Sequence, residues 1–266
     1  MQITGNTILI TGGTSGIGRA LAEAFHKLGN KVIVAGRRKA LLDEVTAANP
    51  GIESTVLDVQ DIDSLPGFAT EIVEQFPTLN VLINNAGIMK TEDLHDPNAD
   101  FENVEATIET NLIAPLRLTA ALLSHFKKQP RSAIVNVTSG LAFVPLAMTP
   151  TYCATKAAIH SWTQSLRYQL RKTSVQVMEL APPYVQTELM GSHQSQDPRA
   201  MPLAAFVAEV IEILGTRPNT NEILVQRVLP LRYAAEQGYE KYDQFVQTFN
   251  DNMQTETSTH EPGLFC

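Results

Sequence analysis

Tyr152 and Lys156 are four residues apart, a spacing that places both side chains on one face of a helix. A phenol has an ordinary pKa of about 10 and is therefore a weak acid–base catalyst near neutral pH. A cation held beside it favours the phenolate, so an ammonium group at this spacing is expected to lower the phenol pKa towards the working range. A half-buried tyrosine beside a surface lysine is the simpler interpretation of the same pair.

Three further polar positions fit proton-transfer chemistry beside this pair. Ser139 follows the apolar run 134–138, where its hydroxyl can donate to a carbonyl oxygen or close a turn before Gly140. Asn111 interrupts an apolar helical segment, where asparagine has poor helix propensity, so we expect a specific hydrogen bond there. The residues at 84–87 end another strand and are equally compatible with a turn in the left-handed conformation.

A glycine-rich segment lies between the first apolar run and the first helical pattern, with the sequence Thr11-Gly12-Gly13-Thr14-Ser15-Gly16-Ile17-Gly18. Without side chains the backbone can approach a pyrophosphate, and the helix start offers free N–H groups and a positive dipole end. The spacing is not the G-x-G-x-x-G fingerprint, and the missing Gly-Lys-Ser/Thr excludes a P-loop. A tight turn without a ligand is the alternative, but the strand before and the helix after favour a dinucleotide site.

A dinucleotide site predicts an acid or an arginine at the end of the second strand, about 20 residues after the glycines. The sequence there is Ala35-Gly36-Arg37-Arg38, without a carboxylate. Guanidinium groups pair with a ribose 2′-phosphate, and the helix dipole disfavours cations at a helix start that has no such ligand. The pair therefore favours NADP(H), with NAD(H) as the alternative. Asp58, followed by Val59, is predicted either to accept from an adenine amino group or to cap the next helix.

The composition limits the other classes of function. The 266 residues carry 20 Lys and Arg against 28 Asp and Glu, a net charge of −8, which argues against a nucleic-acid or anionic-membrane partner. No stretch reaches the roughly 18 apolar residues of a membrane helix. No basic residue precedes Arg19, so we expect no secretory signal. Two cysteines cannot form a disulfide framework, which favours the cytoplasm, and we predict no metal site.

Short β-branched runs alternate with longer helical patterns along the chain. This alternation predicts an α/β fold, a doubly wound parallel sheet with helices on both faces. Because no repeat or Pro/Gly/Ser-rich linker divides the chain, residues 1–250 are predicted to form one domain, and 251–266 a loosely ordered tail. Within that domain we expect a helical segment over 101–128 that is either continuous or broken near Thr107, a mobile loop or short helices over 187–199, and a terminal helix over 232–249.

Taken together, the motifs resemble those of the short-chain dehydrogenase/reductase family in order and in spacing. The match covers roughly residues 5–230 and rests on Thr11-Gly12-x-x-x-Gly16-x-Gly18, Asn84-Asn85-Ala86-Gly87, Asn111, Ser139 and Tyr152-x-x-x-Lys156. The opening residues 4–8 and the segment 233–249 also resemble a bacterial subgroup that is linked by name to the D-alanine esterification of teichoic acids.

The resemblance implies a single Rossmann-like domain with about seven parallel strands. It implies an oxidoreductase that transfers hydride between NAD(P) and a carbonyl or secondary-alcohol substrate. In that scheme Tyr152 is the acid–base, Ser139 holds the carbonyl oxygen, and Lys156 lowers the pKa of Tyr152 and bonds the nicotinamide ribose. Asn111 anchors a water that links Lys156 to solvent. It further implies a homodimer or homotetramer built on the helices around 109–128 and 151–171.

The motifs and the resemblance together give a set of expected contacts. The residues expected to bind the cofactor are Gly12, Thr14, Ser15, Gly16, Ile17, Gly18, Arg37, Arg38, Asp58, Val59, Asn85, Ala86, Gly87, Tyr152, Lys156, Pro182, Val185 and Thr187. The residues expected to line an apolar substrate pocket, each equally suited to a core, are Met89, Leu141, Phe143, Met148, Tyr184 and Met190. One departure is Pro182-Pro183 in place of the family's Pro-Gly, which stiffens the loop after the sixth strand.

Other functions compete with this one. A catalytically silent protein with the same fold can sense the cofactor or act as a scaffold, but such proteins usually lose the Tyr or the Lys of the pair, and both are present. Nucleotide-sugar epimerases and dehydratases share Tyr-x-x-x-Lys but normally carry a longer carboxyl-terminal substrate domain. A serine hydrolase is disfavoured because no Gly-x-Ser-x-Gly elbow occurs.

Overall fold

The computed structural model describes residues 1–96 and 101–254. The strands are β1 (Thr7–Thr11), β2 (Lys31–Gly36), β3 (Glu53–Val56), β4 (Leu79–Asn84), β5 (Ser132–Val137), β6 (Val175–Leu180) and β7 (Glu222–Ile223). The helices are α1 (Gly16–Lys27), α2 (Lys39–Ala48), α3 (Leu65–Gln75), α4 (Phe101–Ile108), α5 (Ala114–Lys128), α6 (Pro150–Leu170), α7 (Ser192–Gln196), α8 (Leu203–Thr216), α9 (Leu229–Arg232) and α10 (Tyr239–Gln254).

Within the described ranges, the seven strands form one parallel sheet in the order β3-β2-β1-β4-β5-β6-β7. β1 is fully buried and pairs with β2 on one side and β4 on the other. The strand order therefore reverses between β1 and β4. In open α/β sheets, the crevice at such a reversal, at the carboxyl ends of the strands, is where ligands bind.

Alternate side chains of β1 divide the core into two layers. Ile8 and Ile10 pack with residues of α1, α2 and α8, whereas Leu9 packs with residues of α3, α5 and α6. Fully burying one such side chain stabilises the fold by about 1.5–3 kcal/mol, so the two layers hold the strand ends firmly. The prediction of a Rossmann-like α/β domain with helices on both faces is confirmed.

The helical segment predicted over 101–128 is broken just after Thr107, as one of the two alternatives expected. α4 and α5 are joined by a π-helical turn, Glu109–Ile113, in which Asn111 is buried. A π-helical turn is often found at functional sites because it redirects side chains within a continuous helix.

The terminal helix begins and ends later than the sequence predicted. α9 is followed by a short helical turn, Ala234–Gln237, and by Gly238 with a φ of 96°. Glycine adopts this left-handed conformation readily and ends the regular helix there, so α10 begins at Tyr239. α10 continues to Gln254, which takes in the first residues of the predicted tail, and 255–266 lie outside the described residues. None of the helices in the described part of the chain is long and apolar enough to span a membrane.

Candidate active site

A cavity of about 530 Å³ lies at the carboxyl edge of the sheet, across the reversal between β1 and β4. Its size is within the range of small-molecule sites. The sequence-predicted residues that line it are Gly12, Thr14, Ser15, Gly16, Ile17, Arg37, Arg38, Val59, Asn85, Ala86, Gly87, Met89, Ser139, Leu141, Tyr152, Lys156, Pro182, Tyr184, Val185, Thr187 and Met190. Segments that are far apart in the chain thus meet at one site.

Glycines allow the loop after β1 to turn sharply into α1. Gly12 and Gly16 have φ values of 66° and 52°, in the left-handed region that favours glycine. A Cβ on Gly12 would lie 2.8 Å from the Ala86 Cα, so two backbone segments approach closely here. Gly18 lies behind the cavity wall rather than in it, and its missing side chain leaves room for the Gly12 carbonyl and the Asn85 amide.

The same loop is fixed against the end of β4 by two side chains. Thr11 Oγ1 accepts from the backbone N–H groups of Asn85 and Ala86, each at 3.1 Å. Asn85 Nδ2 donates to the carbonyl oxygens of Thr11 at 3.0 Å and Gly12 at 3.2 Å. The asparagine therefore braces the glycine loop.

The start of α1 faces the cavity without a cap. In the described part of the chain, its first turn holds no acidic residue, and the Ser15 side chain makes no capping hydrogen bond. The first N–H groups of a helix have no partner within the helix, and the dipole there attracts anions. An uncapped helix start beside a loop that a Cβ would block fits the pyrophosphate of a dinucleotide.

Both arginines after β2 line the cavity and are exposed. Arg37 Nη1 donates to Gln60 Oε1 at 2.8 Å, and Gln60, which the sequence did not single out, also lines the cavity. Asp58 is not part of the lining. Its Oδ1 accepts from the backbone N–H of Gln60 at 3.0 Å and lies 4.0 Å from Arg37 Nε, so the carboxylate stabilises a turn. The prediction that Asp58 caps the next helix is wrong, because the N-cap of α3 is Ser64.

Tyr152 and Lys156 lie one turn apart on α6, with 6% and 5% of their surface exposed. Lys156 Nζ is 5.5 Å from the centroid of the Tyr152 ring and donates to the Val137 carbonyl oxygen at 2.9 Å. A Cβ on Gly87 would lie 3.7 Å from Lys156 Nζ, so this glycine leaves space beside the ammonium group. The interpretation of the pair as a surface lysine beside a half-buried tyrosine is wrong.

Burial controls the protonation of this pair. Desolvation raises the pKa of Tyr152 to about 12, and the hydrogen bond with Ser139 opposes that effect. Desolvation also lowers the pKa of Lys156 to about 8. Both shifts favour the neutral forms, as expected in a medium of low dielectric constant. The expected lowering of the tyrosine pKa by the lysine is therefore not found, and the phenol is protonated at neutral pH.

Ser139 lies two residues after the end of β5 and has an extended backbone. Its Oγ accepts from the backbone N–H of Leu141 at 3.1 Å, which fixes the side chain at the start of a short helical turn. A hydroxyl that accepts in this way retains its proton for donation. Ser139 can therefore donate to the Tyr152 oxygen or to a substrate oxygen held between them.

Asn111 does not line the cavity but braces its wall. Its Oδ1 accepts from the backbone N–H of Ile88 at 2.9 Å, and its Nδ2 donates to the Ile88 carbonyl oxygen at 2.9 Å and to Thr155 Oγ1 at 3.2 Å. These bonds tie the segment after β4 to α6 and confirm the predicted specific hydrogen bond. The neighbouring Thr110 does line the cavity, and its buried hydroxyl has no partner among the described residues, which leaves it free for a ligand.

A buried carboxylate behind Ser139 was missed. Glu179 on β6 is fully buried, accepts from Thr138 Oγ1 at 2.7 Å, and has its Oε2 2.8 Å from His160 Nδ1. Thr138 precedes Ser139, and His160 is one turn beyond Lys156 on α6. The available signal was a glutamate inside a mostly apolar strand, because a buried carboxyl group requires hydrogen-bond partners.

Only some of the residues predicted to form an apolar pocket line the cavity. Phe143 and Met148 do not line it: the Phe143 ring packs edge-on against His160, with centroids 4.8 Å apart, and Met148 packs against the apolar cluster of Met89 and Leu146. Apolar lining residues that the sequence did not indicate include Leu146, which lies between Phe143 and Met148 in the chain, and Leu231, Phe249 and Met253, which come from later segments.

Two parts of the lining differ in character. One part, which we call the polar half, is formed by Gly12 and residues 14–17, 36–38 and 85–87, and it includes both arginines. We call apolar half the part formed by Met89, Leu141, Leu146, Met190, Leu231, Phe249 and Met253. Tyr152, Lys156 and Ser139 complete the same lining.

The segment after β6 is held by a buried amide. Gln194 on α7 is 4% exposed, and its Nε2 donates to the Val185 carbonyl oxygen at 2.8 Å and to Thr187 Oγ1 at 3.0 Å. Its Oε1 accepts from the Met190 backbone N–H at 3.0 Å. The short helix α7 thus lies within the region predicted as a mobile loop or short helices and positions Thr187 and Met190 at the cavity.

Comparisons with known proteins agree with this geometry. A family model described as short chain dehydrogenase matches residues 6–198. The uncharacterized oxidoreductase DltE of Bacillus subtilis is 41% identical over 93% of this chain and 99% of its own length. The NADP-dependent 3-hydroxy acid dehydrogenase of Schizosaccharomyces pombe is 33% identical over 86% of this chain and 94% of its own.

A solved structure extends the agreement to three dimensions. A short-chain dehydrogenase from Sphingobium yanoikuyae in complex with NADPH superposes with a TM-score of 0.75, at 25% identity and over 98% of both chains. The sheet order, the cavity at its reversal and the matched motifs all agree with this likeness. The chain therefore belongs to the short-chain dehydrogenase/reductase family of oxidoreductases.

Proposed function

We propose that the protein is an NADPH-preferring reductase of carbonyl compounds in which Tyr152 donates the proton. The observation that carries this proposal is the buried Tyr152–Lys156 pair, which shares one cavity with Ser139 and an uncapped helix start. The family membership supports the reaction class, and the residues of this chain support the direction and the cofactor preference.

When bound, a reduced nicotinamide cofactor supplies a hydride to the carbonyl carbon. Negative charge then develops on the carbonyl oxygen, which the Ser139 hydroxyl can hold by a hydrogen bond. Tyr152 donates its proton to that oxygen. Because an alkoxide is a stronger base than a phenolate, this transfer is favourable even with the pKa of Tyr152 at about 12.

Tyr152 is protonated at neutral pH, which is the form that reduction requires, and burial strengthens this by raising its pKa to about 12. After the transfer, the ammonium group of Lys156 stabilises the phenolate beside it. Asn111 helps to hold α6, which carries Tyr152 and Lys156, in position, because it joins the segment after β4 to that helix.

The preference for NADPH rests on the end of β2. Arg37 and Arg38 line the cavity, whereas the neighbouring Asp58, 4.0 Å from Arg37 Nε, is outside the described lining and accepts from the Gln60 backbone N–H. An acid there would bind a free ribose 2′-hydroxyl and repel a 2′-phosphate, whereas guanidinium groups pair with the phosphate. The NADP-dependent relative and the NADPH complex named above support the same cofactor.

A spectrophotometric assay tests the proposal. The purified chain is mixed with NADPH or NADH and a panel of ketones and aldehydes, and loss of the reduced-nicotinamide absorbance is followed. We expect carbonyl-dependent oxidation of NADPH at a higher kcat/KM than that of NADH. Equal or better rates with NADH contradict the arginine argument. Binding of both cofactors without turnover on any carbonyl contradicts the reductase and favours a cofactor-sensing protein.

We also propose that the protein assembles as a homo-oligomer through α5 and α6. Support comes from the outer face of α6, where the Tyr168 side chain is 68% exposed and the Arg171 guanidinium lies 3.8 Å from its ring centroid. Light scattering on the purified protein is expected to give a dimer or tetramer mass. A monomer at micromolar concentration contradicts this part of the proposal.

A further inference from the structure

The last helix of the chain forms one wall of the apolar half. Phe249 and Met253 on α10 line the cavity together with Leu146, Met190 and Leu231. Phe249 and Met253 also pack on the cluster that contains Met89 and Tyr152. The wall is therefore in contact with the apolar surroundings of the proposed proton donor.

Three hydrogen bonds hold this wall in place. Tyr242 Oη donates to the Phe143 carbonyl oxygen at 3.0 Å. Asn250 Oδ1 accepts from the Ala147 backbone N–H at 2.6 Å, and Asn250 Nδ2 donates to the Pro145 carbonyl oxygen at 3.0 Å. All three backbone groups belong to the segment between Ser139 and Tyr152. α10 is thus attached to the part of the chain that separates two residues of the proposed reaction.

The charges of the lining argue for an uncharged substrate. Apart from the arginine pair and Lys156, the charged residues that line the described cavity are Lys90 and Glu188, and both are exposed. Neither is buried against the apolar wall as a partner for a substrate charge. Burying an unpaired carboxylate against methionine, leucine and phenylalanine costs far more than burying a methylene group gains.

We propose that the substrate is an uncharged ketone or aldehyde whose apolar group packs on α10, and that Phe249 and Met253 limit the length of that group. This inference rests on the proposed function and goes beyond it by naming the substrate class and the residues that select it. Met89, Met190 and Met253 are unbranched and adaptable, which suits a flexible aliphatic chain better than one rigid shape.

Two substrate series test the proposal with NADPH and the full chain. One is a series of methyl ketones from four to ten carbons, and the other is the matching series with a terminal carboxylate. Wild type is expected to gain about fourfold in kcat/KM for each methylene that the cavity buries, up to a length limit. At equal length, the carboxylated compounds are expected to be at least tenfold poorer substrates.

Variants on α10 locate the limit. Phe249→Ala and Met253→Ala are expected to move the preferred ketone to a longer chain, chiefly through a lower KM for the long members. Gln244→Ala, on the exposed side of the same helix, is the matched control and is expected to keep the wild-type length profile. Phe249→Leu serves as a milder substitution if truncation to alanine loosens the helix, and it is expected to give a smaller shift.

The outcomes separate this inference from the proposed function. Reduction of carboxylated compounds in preference to ketones overturns the inference and leaves the reductase intact. An unchanged length profile in Phe249→Ala, Phe249→Leu and Met253→Ala, each shown to be folded by circular dichroism, also overturns it. If neither series of compounds supports the oxidation of NADPH, both the inference and the proposed function are overturned.

Discussion

The polar half and the apolar half of the cavity are built by different means. In the polar half, glycines with positive φ bring two backbone segments together, and an uncapped helix start faces the space between them. In the apolar half, side chains from the segments after β4, β5 and β6 meet residues of α9 and α10. The polar half is thus formed close to the sheet edge, whereas the apolar half depends on how distant segments pack.

This difference explains how one fold can keep a cofactor and change its substrate. In the glycine loop, Gly12 and Gly18 tolerate few substitutions, because a new Cβ at either position meets backbone atoms directly. Methionine and leucine side chains at the other end can be exchanged at little cost if their volume is kept. Tyr152, Ser139 and Lys156 belong to neither half, so the side chains of the apolar half can be exchanged while these three residues are kept.

Removing the proton donor should have the largest effect. Tyr152→Phe keeps the ring in its buried site, and it removes the hydroxyl that we propose as the proton donor to the carbonyl oxygen. We expect kcat to fall roughly 10²- to 10⁴-fold, the usual contribution of a positioned acid or base. Calorimetry should show nearly unchanged NADPH affinity, and Tyr239→Phe is the control, because Tyr239 is 82% exposed and lies outside the cavity lining. A near-normal kcat in Tyr152→Phe contradicts the assignment.

Burial of the Lys156 ammonium group should make the free energy of unfolding depend on pH. The pKa of Lys156 is about 8 in the folded chain and 10.5 in a model peptide, so charge burial costs about 3 kcal/mol below pH 8. Between those values the unfolded chain holds the proton more tightly, so wild-type stability rises with pH. Relative to Lys156→Met, wild type should gain roughly 2 to 3 kcal/mol from pH 7 to pH 10.

Urea denaturation of both proteins at several pH values measures this difference. The comparison cancels the other titrating groups, including Tyr152, provided that both proteins unfold in one step. A constant difference across that pH range contradicts the burial of a charged Lys156.

A single methyl group should disturb the polar half more than its size suggests. Gly12→Ala would force an alanine into a left-handed conformation and place its Cβ 2.8 Å from the Ala86 Cα. We expect a loss of about 1–3 kcal/mol of stability, together with weaker NADPH binding. Gly67→Ala on α3 meets no atom within 4 Å and has no positive φ, so it should be neutral or slightly stabilising. Equal effects of the two substitutions contradict the close approach.

The smallest expected effect concerns the choice of cofactor. Arg37→Ala removes a guanidinium from the polar half, and a hydrogen bond to a charged group contributes about 1.5–3 kcal/mol. NADPH affinity should fall at least roughly tenfold, while NADH affinity stays the same. Lys39→Ala is the matched control, since Lys39 pairs with Asp43 outside the cavity. Parallel losses for both cofactors contradict a 2′-phosphate contact.

Much of the fold and of the polar half could be predicted from the sequence because their determinants are local. Alternating strands and helices identify a doubly wound sheet, and strand ends place Ser139 and Asn85 at the same edge. The Tyr152–Lys156 spacing within one helix was sufficient to predict a shared face. Each of these features is indicated by short runs of neighbouring residues, even where the runs themselves are far apart in the chain.

The rest depends on packing that no local pattern contains. Phe249 and Met253 lie on α10, which begins after Gly238. They reach the cavity because Tyr242 and Asn250 attach this helix to residues 143–147. The pKa of Tyr152 was predicted to fall because the spacing showed the cation but not the depth of burial. Glu179 was missed because its partners, Thr138 and His160, come from different elements.

We propose that one cavity binds both NADPH and an uncharged carbonyl compound, and that Tyr152 donates the proton when the carbonyl compound is reduced. The most direct measurement follows NADPH consumption and alcohol formation together, in the same reaction, with the best ketone of the series. One alcohol formed for each NADPH consumed, with both lost in Tyr152→Phe, is the predicted result. Tight binding of NADPH without formation of any alcohol from the panel would contradict the account.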